Sequence, residues 1–336
     1  MLSLSVIIPT FNRAHLLRRA IESVRSQLEK GDEIIVVDDG STDTTAAVVK
    51  QIRDTRIRYV RQAKAGAGAA RNRGVREATG ELIAFQDSDD EWLPGKAALQ
   101  REFLAARPDI LFCFTDLGRD YGGQRHALLR GGLWHQDLRD WAEILTPAVR
   151  CLDCDVYIGD LYHGAMFHNY FSIICTMIRR KEAGDAIHFA EGVATFEECE
   201  CFGRIAGRGR CAFLDRIGAL QHKHPGPRIT DADWVARAES RLTVLESVWG
   251  SDPRFLAQHG EEYRALVNQV RLAKVRGLIV LGKPQEARAE IRSLAGVPLF
   301  YRAASHVPAS VINPVVALRH AMLDLLSPAE KAQVQT

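Results

Sequence analysis

Residues 81–90 read ELIAFQDSDD, an apolar run that ends in a cluster of acids: Asp87, Asp89, Asp90 and, one residue on, Glu91. A short continuous apolar run bounded by polar residues is the pattern of a strand buried on both faces. The same pattern occurs at LSVIIPT (4–10), EIIVVDD (33–39) and DILFCFTD (109–116), while RIRYV (56–60) alternates like a more exposed strand. Helical spacing fills the gaps. Asn12 is placed to cap a helix whose inner face is Leu16, Leu17, Ala20, Ile21 and Val24. GSTDTT (40–45) turns into a second helix with Ala46, Val49 and Ile52 inward, and residues 66–80 form a third, opened and closed by glycine. Strands separated by helices predict an α/β fold, a Rossmann-like, mostly parallel sheet flanked by helices. Ligands in such sheets bind beyond the carboxyl ends of the strands. Thr10 and Asn12, Asp38 and Asp39, and Asp87 and Asp89 stand at three such ends and are expected to share one crevice.

The 336 residues can bury a sizeable core, and 46% hydrophobic with 26% charged residues is ordinary for a globular chain. A net charge of +2 gives no footprint for nucleic acid, which is not expected as a partner. MLSLSVIIPTFNR reads as a strand and not as a signal peptide. The longest apolar runs, such as FSIICTMI (171–178), fall short of the ~18–20 residues of a spanning helix. A cytoplasmic protein is expected, its membrane association at most peripheral, at the inner face. Seven cysteines without an export signal suggest reduced thiols. Cys151 and Cys154 make one CxxC with no second pair at zinc spacing, so buried free thiols are the better reading.

Beyond residue 116 the pattern is less regular. FSIICTMIRR (171–180) reads as a strand and EECECFGRIA (197–206) as a helix start. After Pro225 the spacing turns helical, over 231–250, 260–282 and 284–295, with a last apolar stretch at 313–327 that reads as a packed or an interfacial helix. The expected division is residues 1–228, in halves 1–116 and 117–228, followed by a helical extension, 229–336.

Residues i and i+2 of an extended chain point the same way, so Asp87 and Asp89 aim at one point and Asp90 away. Two such carboxylates repel unless a cation intervenes, and Mg²⁺ or Mn²⁺ is often held by one or two carboxylates plus substrate phosphates. GAGAAR (66–71) resembles a dinucleotide loop but ends in Arg71 and does not follow the first strand. Arg71 and Arg73 read either as solvated helix charges or as guanidinium contacts to a nucleotide.

SVIIPTFNR, VVDDGSTD, GAGAARNRG, GELIAFQDSDD and a later EE pair occur in the order seen in family 2 glycosyltransferases of the GT-A fold, and the chain resembles them over residues 3–225. The resemblance implies a UDP- or dTDP-linked sugar donor, a divalent metal, and inversion at the anomeric carbon. It implies that Pro9, Thr10 and Asn12 line the nucleoside pocket, that Asp39 reads the base edge, and that Arg71 contacts base or ribose. It implies that Asp87 holds the ribose or the metal through water, and that Asp89 ligates the metal. FAEGVATFEE (189–198) matches the stretch that carries the base, which places Glu198 there, a Glu where similar proteins have Asp. Glu197 or Glu200 serves if the register differs. His224 in HKHPGPRIT (222–230) matches a loop His able to reach metal or diphosphate, and His222 stands where similar proteins often carry Arg. Lacking the processive Gln-x-x-Arg-Trp motif, the chain is expected to add one sugar at a time to a glycan, lipid-linked or small-molecule acceptor. The alternatives are a non-catalytic nucleotide-sugar-binding homologue and, last, a sugar-phosphate nucleotidyltransferase, which would want a Gly-rich, Arg-bearing loop after the first strand.

Overall fold

The computed structural model describes residues 1–121, 124–127, 144–151, 154–192, 195–222, 233–294 and 296–307. The chain divides into two compact units, Met1–Val193 with Glu197–Pro227, and Ala194–Phe196 with Arg228–Thr336.

The first unit is built on one sheet, with strand order β3-β2-β1-β4-β10-β6-β11-β9-β8. These are β1 (Leu4–Thr10), β2 (Glu33–Asp38), β3 (Ile57–Arg61), β4 (Leu82–Phe85), β6 (Phe112–Tyr121), β8 (Thr146–Cys151), β9 (Cys154–Gly159), β10 (Thr176–Arg179) and β11 (Cys211–His222). Short β5 (Glu91–Trp92) pairs with β11, and β7 (Gln124–Ala127) with β6. β3, β2, β1 and β4 pair in parallel, and β6 and β11 run with them. The helices are α1 (Ala14–Arg25), α2 (Thr45–Gln51), α3 (Ala67–Glu77), α4 (Lys96–Ala106), α5 (Tyr162–Phe167), α6 (Arg180–Ala183) and α7 (Glu197–Ala206). Every residue of β1 and of β4 is buried. This explains why those strands read as continuous apolar runs: helices cover both faces, so no side chain needs to be polar.

Several expectations change. The strand expected at 109–116 begins at Phe112 and runs on to Tyr121, and β10 lies between it and β4, antiparallel to both. Of 171–180 only Thr176–Arg179 is strand, after a 3₁₀ turn at Ile173–Cys175. Ala46 faces solvent and Thr45 is buried in its place. Asn12 does not cap α1: Arg13 occupies that position, and Asn12 has φ 52°, in the left-handed region that Asn tolerates.

The second unit is helical among the described residues: α8 (Trp234–Leu245), α9 (Pro253–Val280), α10 (Pro284–Arg292) and α11 (Leu299–Ala304). The Asp233 side chain caps α8 by accepting from Val235 N and Ala236 N, and Asp252 does the same for α9 before a Pro at its first turn. Val235, Val275, Leu278, Ala287 and Tyr301 make its core. The 313–327 stretch and His224 lie outside the described residues. No helix searched is long and apolar enough to cross a membrane.

Candidate active site

The register sets the tips of β1 and β2 side by side, Thr10 opposite Asp38, while β4 ends opposite Ile7. The Gln86 amide still donates to Ile7 O at 3.0 Å, and then the chain leaves the sheet. Pro9 and Thr10 are the last two residues of β1 and both are buried. The Asn12 amide oxygen accepts from Thr42 N at 2.8 Å and the Asn12 backbone N–H donates to Ser41 Oγ at 2.9 Å, joining the loops after β1 and β2. Asp38 accepts from Ser41 N and from the Tyr59 hydroxyl.

Asp39 is more occupied than its sequence position suggests. Its carboxylate accepts from Gln62 Nε2, Ala65 N and Gly66 N, each at 2.8 Å. Three of about four acceptor sites are thereby filled, which leaves room for one further donor. Gly66, at φ 98°, is what lets its N–H face that carboxylate. Gly68 is needed for a different reason: a Cβ there would lie 2.6 Å from Ala190 O. The glycines of GAGAAR thus have their own reasons in turn geometry and packing.

After β4 the acids do not continue as an extended chain. Residues 87–90 turn, with Asp90 N donating to Asp87 O at 3.3 Å. Asp90 does not point away to solvent. It is 4% exposed, and its Oδ1 accepts from His222 N at 3.0 Å. Burial, then the Asp87 and Asp89 charges, push its carboxyl well above the usual range. The His222 ring lies 2.9 Å from Glu91 Oε2 and 3.7 Å from Asp120 Oδ2. His222, uninterpretable in the sequence, therefore ties the end of β11 to the acidic turn. Arg19 donates to Asp89 O at 2.5 Å.

Arg71 brings the acidic turn and α7 together. Its guanidinium, 4% exposed, donates to Asp87 Oδ1 at 2.9 Å and Glu197 Oε1 at 3.1 Å, and Glu198 Oε1 is 3.8 Å away. The Phe189 ring lies below it, 5.4 Å from the centroid. Arg73 instead makes an exposed pair with Glu77, so of the two arginines only Arg71 enters the site. Asn72, which the sequence reading passed over, pins the strap ahead of α7: its Nδ2 donates to Phe189 O and Glu191 Oε1, and its Oδ1 accepts from Phe189 N. Only the strap's position on α3 reveals this role, since an Asn inside a helix gives no local signal.

One cation faces three carboxylates in a crevice, and the charges do not balance. Burial raises the Glu198 carboxyl to about 8, Arg71 opposing and the Asp87 and Glu197 charges adding to the rise. Burial likewise raises Asp87, with Arg71 pulling down and Asp89 pushing up. Glu200 is turned to Arg204 at 2.8 Å and Glu197 to Arg71 at 3.1 Å, while the Glu198 side chain, 28% exposed, stands 3.8 Å from Arg71. Thr10 Oγ1, Gln86 Oε1 and Arg71 Nε are buried without a hydrogen-bond partner among the described residues. Buried polar atoms are seldom left so, and here two stand at the tips of the neighbouring strands β1 and β4 and the third on α3, the helix that carries Arg71.

Residues 5–166 match the family model described as Glycosyl transferase family 2. These residues are a family 2 glycosyltransferase domain. The glycosyltransferase YibD of Escherichia coli (strain K12), itself uncharacterized, is 37% identical over 182 residues, 48% of this chain and 53% of that one. A Campylobacter jejuni protein named GalNAc(5)-diNAcBac-PP-undecaprenol beta-1,3-glucosyltransferase is 47% identical over 96 residues, 27% of this chain and 31% of that one. The chain thus spans from just under a third to about half of these curated relatives' length. A likeness of fold extends past the matched residues: S. aureus TarS 1-349, solved with UDP-GlcNAc, superposes with TM-score 0.59 at 18% identity over 86% of this chain and 88% of that one. The mannosyltransferase PcManGT from Pyrobaculum calidifontis, solved with GDP-Man and Mn²⁺, gives 0.57 at 18% identity over 98% and 83%. The family match ends at residue 166, so α7 and Glu198 lie in the part of the chain that only the fold likeness covers.

Proposed function

We propose that the protein transfers one sugar, with inversion, from a nucleoside-diphosphate sugar, UDP- or dTDP-linked, to a hydroxyl acceptor in the synthesis of a cell-surface glycan. The observation that carries the reading is Arg71, one buried cation joining the acidic turn after β4 to the first turn of α7. A donor at the strand tips and an acceptor activated from α7 would then meet at one point.

Glu198 would act as base. Its carboxyl, raised to about 8, is near the operating pH, where a general base combines a useful ionised fraction with good basicity. It would take the proton of the acceptor hydroxyl as that oxygen attacks the anomeric carbon from the face opposite the leaving group. Arg71 would hold Glu198 and Asp87 at a set separation and keep their combined charge from driving them apart. Asp39 would hold the 62–66 loop beside the nucleoside, with Asn12 bracing the loop opposite, and Thr10 Oγ1 and Gln86 Oε1 offering unsatisfied polar atoms to the donor.

Asp87 and Asp89 suit a hard divalent ion: they are oxygen donors on one turn, and the Asp89 charge adds to the rise that burial gives the Asp87 carboxyl. No third described ligand joins them in a closed cage, as fits an ion whose remaining sites a diphosphate and water fill. Asp89, with Asp87 shared between it and Arg71, would hold Mn²⁺ or Mg²⁺, and His224 is the remaining candidate ligand. When bound, the ion supplies Lewis-acid stabilisation of the departing diphosphate.

The test is donor-dependent release of nucleoside diphosphate with an acceptor glycan. Release should need Mg²⁺ or Mn²⁺ and vanish in Asp89→Ala. Glu198→Gln should lower kcat by ~10²–10⁴ while donor binding persists. Activity of Asp89→Ala in the presence of chelator would remove the metal from the reading, and an unchanged kcat in Glu198→Gln would remove the base.

A further inference from the structure

Between the end of β4 and the first turn of α4 the chain needs partners for its peptide groups outside the long strands. Three of those groups are met by one row of side chains. Arg19 Nη2 donates to Asp89 O at 2.5 Å, Ser23 Oγ accepts from Trp92 N at 3.1 Å, and Gln27 Oε1 accepts from Ala97 N at 3.1 Å. Arg19 and Ser23 stand four residues apart on α1, and so on one face of it. Gln27, four further on, lies in the turn that closes the helix, its N–H donating to Val24 O at 2.9 Å. Each step along the row thus reaches a later peptide group of residues 89–97. Two of the three side chains are themselves oriented. The Ser23 hydroxyl donates to Ala20 O at 2.8 Å, which turns a lone pair to Trp92 N, and Gln27 Nε2 donates to Ser23 O at 3.0 Å, which turns the amide oxygen to Ala97 N. Trp92 is buried, so its N–H needs that acceptor, and α4 has no side-chain cap at Gly95, so Gln27 fills the place.

We propose that Arg19, Ser23 and Gln27 are positioning residues for the acidic turn: they hold the backbone of residues 89–97 at three points and so preset the Asp89 carboxylate for a divalent cation. The inference rests on Asp89 being a metal ligand. Asp87 is held through its side chain, by Arg71 at 2.9 Å, whereas the hold that α1 has on Asp89 is on its carbonyl. The Asp89 carbonyl and the Trp92 N–H bracket Asp90 and Glu91, which His222 of β11 holds from the other side. With both ends of this stretch fixed, the Asp89 side chain leaves the backbone in one direction. Two like charges on one turn gain by swinging apart. A backbone clamped before the ion arrives removes that freedom, and less binding energy is spent on ordering the site.

The experiment titrates the full chain with Mn²⁺ alone and follows the electron paramagnetic resonance signal of the unbound ion. Arg19→Met and Ser23→Ala should each weaken Mn²⁺ binding by about 10-fold, the lower end of what the hydrogen-bond partners of metal ligands contribute. Arg19→Lys, which keeps a donor, should recover most of the affinity, and Asp89→Ala marks complete loss. Melting temperature separates this from a general loss of packing: Arg19 is exposed, so Arg19→Met should bind the ion less well without melting lower. Hydrogen exchange in the ion-free protein is a readout that needs no metal. It should quicken at the amides of residues 90–92 in Ser23→Ala and at the Ala97 amide in Gln27→Met. Wild-type Mn²⁺ affinity in both Arg19→Met and Ser23→Ala, a loss of affinity that tracks melting temperature, or unchanged exchange in both variants would each overturn the proposal. If instead the wild-type chain and Asp89→Ala bind Mn²⁺ alike while exchange does quicken, α1 holds the turn and it is the assignment of Asp89 to the metal that fails.

Discussion

At the scale of single residues, Arg71 decides the site. It is buried, it touches Asp87 and Glu197 directly, and its charge is the main force holding the Glu198 carboxyl below where burial alone would put it. Arg71→Met should leave three carboxylates without their cation, push the Glu198 pKa further up, and lower kcat by at least ~10²-fold. Arg71→Lys should recover little, because one ammonium cannot bridge two carboxylates with a planar fork. The pH–rate profile gives the sign directly. With the base raised to about 8, kcat/KM should climb with pH from 6 and level off above about 8, only about a tenth of Glu198 being ionised at pH 7. A profile already flat from pH 6 would show that Glu198 is not the titrating group. In stability the same group works the other way. Its folded pKa lies above its unfolded one, so its stabilising contribution is complete below about 4.5 and lost as pH rises through about 8.

Among the elements, α4 carries an unusual burden. Lys96, at its first position, is 1% exposed with its ammonium 3.7 Å from the Trp92 ring centroid and no hydrogen-bond partner among the described residues. Burial pulls its pKa down to about 7. A lysine depressed in this way binds its proton less well folded than unfolded, so stability should rise with pH between about 7 and 10.5 and be lost as pH falls through about 7. Lys96→Met keeps the stem and removes the charge. It should raise stability at pH 7 by a few kcal/mol, on the order expected for a buried unpaired charge, and flatten the pH dependence seen in denaturant melts. The loop from β3 to α3 offers the opposite case. Asp39→Asn replaces one acceptor oxygen by a donor facing Ala65, Gly66 or Gln62, which should cost about 1–3 kcal/mol and weaken donor binding together. Thermal melts with and without donor separate the two effects.

For the whole molecule, binding is the accessible observable. A donor that fits the strand-tip crevice in the presence of Mn²⁺ stabilises the fold by mass action, about 2.7 kcal/mol at ~100 Kd, enough for a shift of several degrees. Among UDP-, dTDP- and GDP-sugars, the UDP- or dTDP-linked ones should give the largest rise, and Asp89→Ala should abolish the share that depends on metal. A GDP-sugar giving the largest shift would correct the base and leave the family fold untouched.

How much could be read from the chain follows the physics of each feature. Strands buried on both faces must be apolar throughout, so β1, β2 and β4 and the polar tips that end them are written locally, and with them the parallel sheet and its crevice. The family signature sits on those same tips, where backbone and carboxylate positions leave few residue choices. The intervening antiparallel β10, the turn that folds Asp90 inward, the three donors on Asp39, the Arg71 bridge over 126 residues of sequence to Glu197, and the side chains of α1 that hold the backbone of residues 89–97 were decided by tertiary structure alone. Each depends on contacts between segments far apart in the chain. A sequence pattern records what one segment requires of its own surroundings, and it carries no term for which distant segment will supply them.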